Sequence, residues 1–133
     1  MAPEKLGRGI VLAVFVVLAL VYATRFPNHF SDAGWPSHAK THLFAQIATG
    51  VAFSFMGVLL SAKMLDSNRR PTWFVLAVLW LFQFGGYWIG KFGFEADAAW
   101  RSGNTVFAVL TVLYLVGLLM TSRHCLATEP GAE

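Results

Sequence analysis

The residues best suited to chemistry lie between Gly34 and Gln46, in the run Gly-Trp-Pro-Ser-His-Ala-Lys-Thr-His-Leu-Phe-Ala-Gln. A helix that starts near Trp35 and enters the apolar run beyond Leu43 puts His38, His42 and Gln46 at successive i, i+4 positions on one face. Imidazoles there can ligate a metal, hold a haem axially or move a proton. A zinc site of the metalloprotease-helix kind also needs a third ligand and a general base, and only Glu95 and Asp97 on another loop are available for that. A haem needs one axial imidazole and an apolar, aromatic pocket. Either His taken alone also fits a plainer role, hydrogen bonding to headgroups or to Asp32, Glu95 or Asp97 at a membrane surface.

Two further groups share helical faces. Gln83, Tyr87 and Lys91 are spaced i, i+4, i+8, and the Gln83 amide, deep in an apolar run, calls for a partner such as Tyr114 or Thr111. The Tyr87 hydroxyl can donate to a bound oxygen, or Tyr87 can join Trp88 and Trp100 in an interfacial aromatic belt. Asn104, Thr111 and Tyr114 share a face of the last apolar run, where Asn104 equally suits a helix cap. Glu95 is a candidate acid or base if burial shifts it. Trp80, among other aromatics, suits a slot for a lipophilic ligand. The candidates are therefore Tyr87, His38, Gln46 and Glu95 for catalysis, His42 for a cofactor or metal, and Gln83, Trp80, Asn104 and Tyr114 for a substrate pocket.

The elements that must position these residues are membrane helices. In a chain of 133 residues, 56% are hydrophobic and 13% charged, which excludes an ordinary soluble domain. The net charge is +3 with no long basic run, so nucleic acid is not an expected partner. The single cysteine, Cys125, excludes an intrachain disulfide. The expected fold is all-α and integral to the membrane, one domain forming a four-transmembrane-helix antiparallel bundle. Its spans lie at about 7–26, 42–64, 72–91 and 104–122, followed by a flexible tail at 123–133. The basic start, apolar centre and Val21-Tyr22-Ala23 also imitate a cleavable signal peptide.

Breakers such as Pro27 and Pro36 predict a first loop from Arg25 to Thr41, and Gly85, Gly86 and Gly90 predict the close of the third span. Gly50, Ser54, Gly57 and Ser61 form a small-residue stripe that permits close helix approach, within the bundle or between copies. Lys5, Arg8, Lys63, Arg69, Arg70 and Arg123 on one side outnumber Arg25, Lys40, Lys91 and Arg101 on the other, which predicts an N-in, C-in topology in a bacterial inner membrane. For either sign, the His-bearing loop and the Glu95 loop share a side.

The step Trp35 then Lys40-Thr41-His42 at the mouth of the second span, and Gly86-Tyr87-Trp88 near the end of the third, resemble the small four-span membrane isomerases exemplified by styrene oxide isomerase. The resemblance implies a trimer of four-helix subunits with haem b at the subunit interfaces, an axial His and an iron that opens an epoxide before a 1,2-shift gives a carbonyl. Carried over, His42 is the ligand, His38 its competitor, and Tyr87 helps hold the epoxide oxygen. The family's Asn after its His is not matched, Gln46 being the nearest amide. Lys40-Thr41-His42 also resembles a step in the membrane-associated eicosanoid and glutathione transferases, without their following Asn and acidic residue. The segment Trp35 to His42 resembles one in uncharacterised four-span membrane proteins.

The expected function is thus a membrane-embedded, homo-oligomeric isomerase of a lipophilic epoxide or similar oxygenated compound. The alternatives are a cofactor-free acid-base isomerase or cyclase of a terpenoid or sterol-like substrate, and a non-enzymatic lipid- or partner-binding subunit.

Overall fold

The computed structural model describes residues 2–30, 33–34, 36–94 and 102–127, and all regular structure among them is helical. Helix α1 spans Pro3–Phe30, α2 Ser37–Lys63, α3 Arg69–Trp80, α4 Gly86–Phe94 and α5 Ser102–Leu126. A π-helical turn, Leu81–Gly85, joins α3 to α4 without a break. Counting that joined helix once, four helices among the described residues are long and apolar enough to cross a membrane. Their lipid-compatible outer faces carry Phe82, Ile89, Phe55 and Leu119, which are 75%, 70%, 64% and 61% exposed.

Several boundaries differ from those the sequence suggests. Helix α1 runs through Pro27, which has no N–H to donate, so the helix forgoes one main-chain bond there without ending. The first loop is correspondingly shorter, since α2 already begins at Ser37 behind Pro36, whose extended ψ of 144° sets the helix entry. Pro71 falls within the first turn of α3, where no N–H is required. The Gly85-Gly86 pair does not end the third span, because both glycines lie inside continuous helix. Residues 123–126, expected in the tail, extend α5, and Cys125 is fully buried with its thiol 3.4 Å from the Met64 carbonyl.

Packing between α1 and α2 follows the small-residue stripe. The Phe15 ring lies over Gly57, where a Cβ would stand 2.3 Å from the ring, and the Tyr22 ring lies over Gly50, where the gap would be 2.7 Å. Phe15 and Tyr22 are seven residues apart, as are Gly57 and Gly50, and the pairing runs antiparallel. Ser54 and Ser61 are buried between them, their hydroxyls donating to the Gly50 and Gly57 carbonyls at 2.7 and 2.6 Å. The stripe is thus occupied by α1 of the same chain and is not an open assembly face. Helix α1 supplies Val11, Val14, Phe15 and Leu18 to the core. It crosses α5 where a Cβ on Gly7 would lie 2.7 Å from the Gly117 carbonyl oxygen.

The third span lies antiparallel to α5 through a series of side-chain rungs. Trp73 donates its indole N–H to the Leu118 carbonyl at 3.0 Å, the Tyr114 hydroxyl donates to the Leu76 carbonyl at 2.8 Å, and Trp80 donates to the Thr111 carbonyl at 3.1 Å. Phe84 continues the series, edge-on to Phe107 and Tyr114 at centroid distances of 6.3 and 5.9 Å. Tyr114 also meets Phe15 of α1 edge-on at 4.9 Å, which ties three helices into one core. Past the π-helical turn the backbones of α4 and α5 separate among the described residues, and side chains bridge them.

Candidate functional site

The polar side chains of the upper bundle converge around the π-helical turn. Inside it, Gln83 donates its amide N–H to the Tyr22 hydroxyl of α1. One turn on, the Tyr87 hydroxyl of α4 donates to Asn104 Oδ1 of α5 at 2.6 Å. Trp88 donates to the Thr111 hydroxyl at 2.9 Å, while that hydroxyl donates to the Phe107 carbonyl at 2.6 Å. Tyr87 and Phe107 are stacked, with centroids 4.1 Å apart and planes 8° from parallel, so the phenol is held flat against α5 as its tip reaches Asn104.

Asn104 is 5% exposed, and its Nδ2 is the buried side-chain nitrogen or oxygen among the described residues that lacks a hydrogen-bond partner. Its Oδ1 is held by Tyr87, so the amide presents two N–H groups with no acceptor. Such a group is costly in an apolar surrounding and marks a place where something else fits or is needed. A π-helical turn inside an α-helix is also a frequent companion of functional sites.

Each sequence candidate has a definite place except three. Tyr87 and Asn104 are paired. Asn104 does not cap α5: the helix already begins at Ser102, and the carboxamide oxygen is engaged by Tyr87. Gln83 meets neither Tyr114 nor Thr111, whose hydroxyls donate to the Leu76 and Phe107 carbonyls respectively; its partner is Tyr22. Trp80 is half-buried with its N–H on α5, and Tyr114 is fully buried in the core.

Gln46 is exposed although its spacing sets it at the edge of the face that carries Gly50 and Gly57; Ile47, Gly50, Ser54, Gly57 and Ser61 turn inward. His38 and His42 belong to α2 two turns and one turn before Gln46, at the same end of the bundle as Tyr22 and Gln83, but their side chains lie outside the described residues, as does all of Glu95. Among the described residues no three His, Cys, Asp or Glu side chains gather as a metal site, and several proposed ligands lie outside that set.

Two features were missed from the sequence. Tyr22 lay unnoticed in an apolar run, although its seven-residue spacing from Phe15 matches that of Gly50 and Gly57 in reverse. The π-helical turn left only the weak signal of paired glycines. Compared with protein-family models, curated proteins and solved structures, the chain matches none.

Proposed function

We propose that this chain is an integral-membrane isomerase of the bacterial inner membrane, N-in and C-in, acting on a lipophilic epoxide or similar oxygenated compound. The observation that supports this reading is the set of polar side chains at Gln83, Tyr87 and Asn104 around a π-helical turn in otherwise apolar helices. Polar groups at membrane depth are expensive and are retained where they are paired or used.

Rearranging an epoxide to a carbonyl needs an electrophile at the ring oxygen and a dry pocket, so that water does not trap the cation before the 1,2-shift. Aromatic walls at Tyr87, Phe107 and Trp88 exclude water, and the amide of Asn104 orients an oxygen without ionising it. Haem b, when bound, supplies a Lewis-acid iron. By the family resemblance His42 would hold the haem, and the assembly would be a homo-oligomer, a trimer.

A second reading is ligand binding without turnover. It is favoured by the neutrality of the bonded cluster, in which Tyr22, Gln83, Tyr87, Trp88, Asn104 and Thr111 include no acid or base ionised near pH 7. The absorption spectrum of the full chain purified after expression with haem precursor, beside His38→Ala and His42→Ala, tests the cofactor. A Soret band lost with His42→Ala supports the first reading. A protein without a band removes haem and leaves acid-base isomerisation or binding.

A further inference from the structure

We infer that Asn104 Nδ2 is the recognition point for a neutral hydrogen-bond acceptor on the ligand, a ketone, ester or ether-type oxygen, and that Tyr87 is the residue that orients it. The inference rests on the reading that this end of the bundle takes a lipophilic oxygenated molecule, and goes past it in specifying which kind of oxygen is bound and by what.

The argument begins with the direction of one bond. A carboxamide can present either its oxygen or its nitrogen, and which it presents depends on its neighbours. The Tyr87 hydroxyl donates to Oδ1 at 2.6 Å, and the Tyr87 ring is itself locked by its stack on Phe107. The amide is therefore held with its nitrogen available. Asn104 is 5% exposed, so bulk water does not reach that nitrogen freely, and Nδ2 has no partner of its own. A buried donor left unmade costs more than an ordinary hydrogen bond gains, which gives an incoming acceptor a large differential advantage over a group that can only donate.

Charge narrows the class. Among the described residues, the one side chain hydrogen-bonded to Asn104 is the neutral Tyr87 phenol, and the next rung, Trp88 to Thr111, is neutral too. Lys91, one turn beyond Tyr87 on α4, is the nearest cation along that helix and has interactions of its own. A carboxylate brought beside Asn104 would carry a charge into an apolar setting, whereas a neutral oxygen brings none. Tyr87 is a positioning residue here, since its proton is engaged by Asn104.

The test uses the full chain in nanodiscs with Asn side chains labelled with nitrogen-15, titrated with four probes of similar size: an aryl epoxide, an aryl ketone, an aryl pyrrole whose N–H can only donate, and the matching carboxylate. The expected result is that epoxide and ketone move the Asn104 side-chain resonance and bind more tightly than pyrrole or carboxylate. Asn104→Leu, near-isosteric, should weaken ketone binding by about fivefold to tenfold, the size of one neutral hydrogen bond. Tyr87→Phe should narrow the preference for ketone over pyrrole, because an unlatched amide can turn its oxygen outward, an effect that lost packing alone would not produce.

Preference for the pyrrole or carboxylate, ketone binding unchanged in a folded Asn104→Leu protein, or no binding of any probe would overturn the inference. Carbonyl product from the epoxide, followed separately, divides the two claims. Asn104-dependent binding without product supports the inference and removes the isomerase reading. Product with no movement at Asn104 does the reverse.

Discussion

Gln83, inside the π-helical turn, donates to the hydroxyl of Tyr22, whose ring lies against Gly50 of α2. Three helices therefore meet through one phenol. Tyr22→Phe leaves the half-buried amide of Gln83 without its acceptor and is predicted to cost about 1–3 kcal/mol, while the double variant Tyr22→Phe/Gln83→Leu recovers part of that loss. Thermal unfolding in detergent of the two singles and the double checks it; strict additivity would show that the bond contributes nothing.

The Phe15 ring over Gly57 allows no side chain there. Gly57→Val is predicted to destabilise by about 1–3 kcal/mol through overpacking. Gly9, on the same helix as Phe15, has nothing within 4 Å of a Cβ, and Gly9→Ala should gain up to about 1 kcal/mol from helix propensity. Midpoints from the same unfolding assay would contradict this account if Gly57→Val were neutral.

Topology follows from the position of the α2–α3 turn relative to the first loop. Ala33 and Asp66 are both exposed, at opposite ends of α2. In a Cys125→Ala background, Ala33→Cys should react with a membrane-impermeant maleimide applied to intact cells, and Asp66→Cys only after permeabilisation. Labelling of both from one side would contradict four membrane spans.

Cys125 itself is fully buried between α5 and the Met64 turn. It should resist the same reagent in the folded protein and react once the protein is denatured. Rapid reaction in the native state would show that the end of α5 does not pack as described.

The sequence made the four helices legible because lengthy apolar runs leave few alternatives, and the Gly50, Ser54, Gly57 and Ser61 spacing marked a close-packed face. It did not show whose face would fill that stripe. Phe15 and Tyr22 carry the answer, but a pair of aromatics in an apolar run has many other uses. Gln83 was recognisable as an amide in need of a partner, whereas the choice of Tyr22 depended on how α1 packs against the third span. Helical spacing placed Asn104 on the face of Tyr114 and Thr111, yet its unpartnered nitrogen depends on the direction of the Tyr87 hydroxyl. Pro27 and Gly85-Gly86 misled because one or two local breakers weaken a long apolar helix without ending it.

Turnover tests the central claim most directly. Full-length protein expressed with haem precursor, purified and incubated with an aryl epoxide under nitrogen, should release the isomeric carbonyl compound, and His42→Ala protein of equal stability should not. No carbonyl product from haem-supplied, folded wild-type protein across a series of lipophilic epoxides would contradict the isomerase account and leave a binding protein.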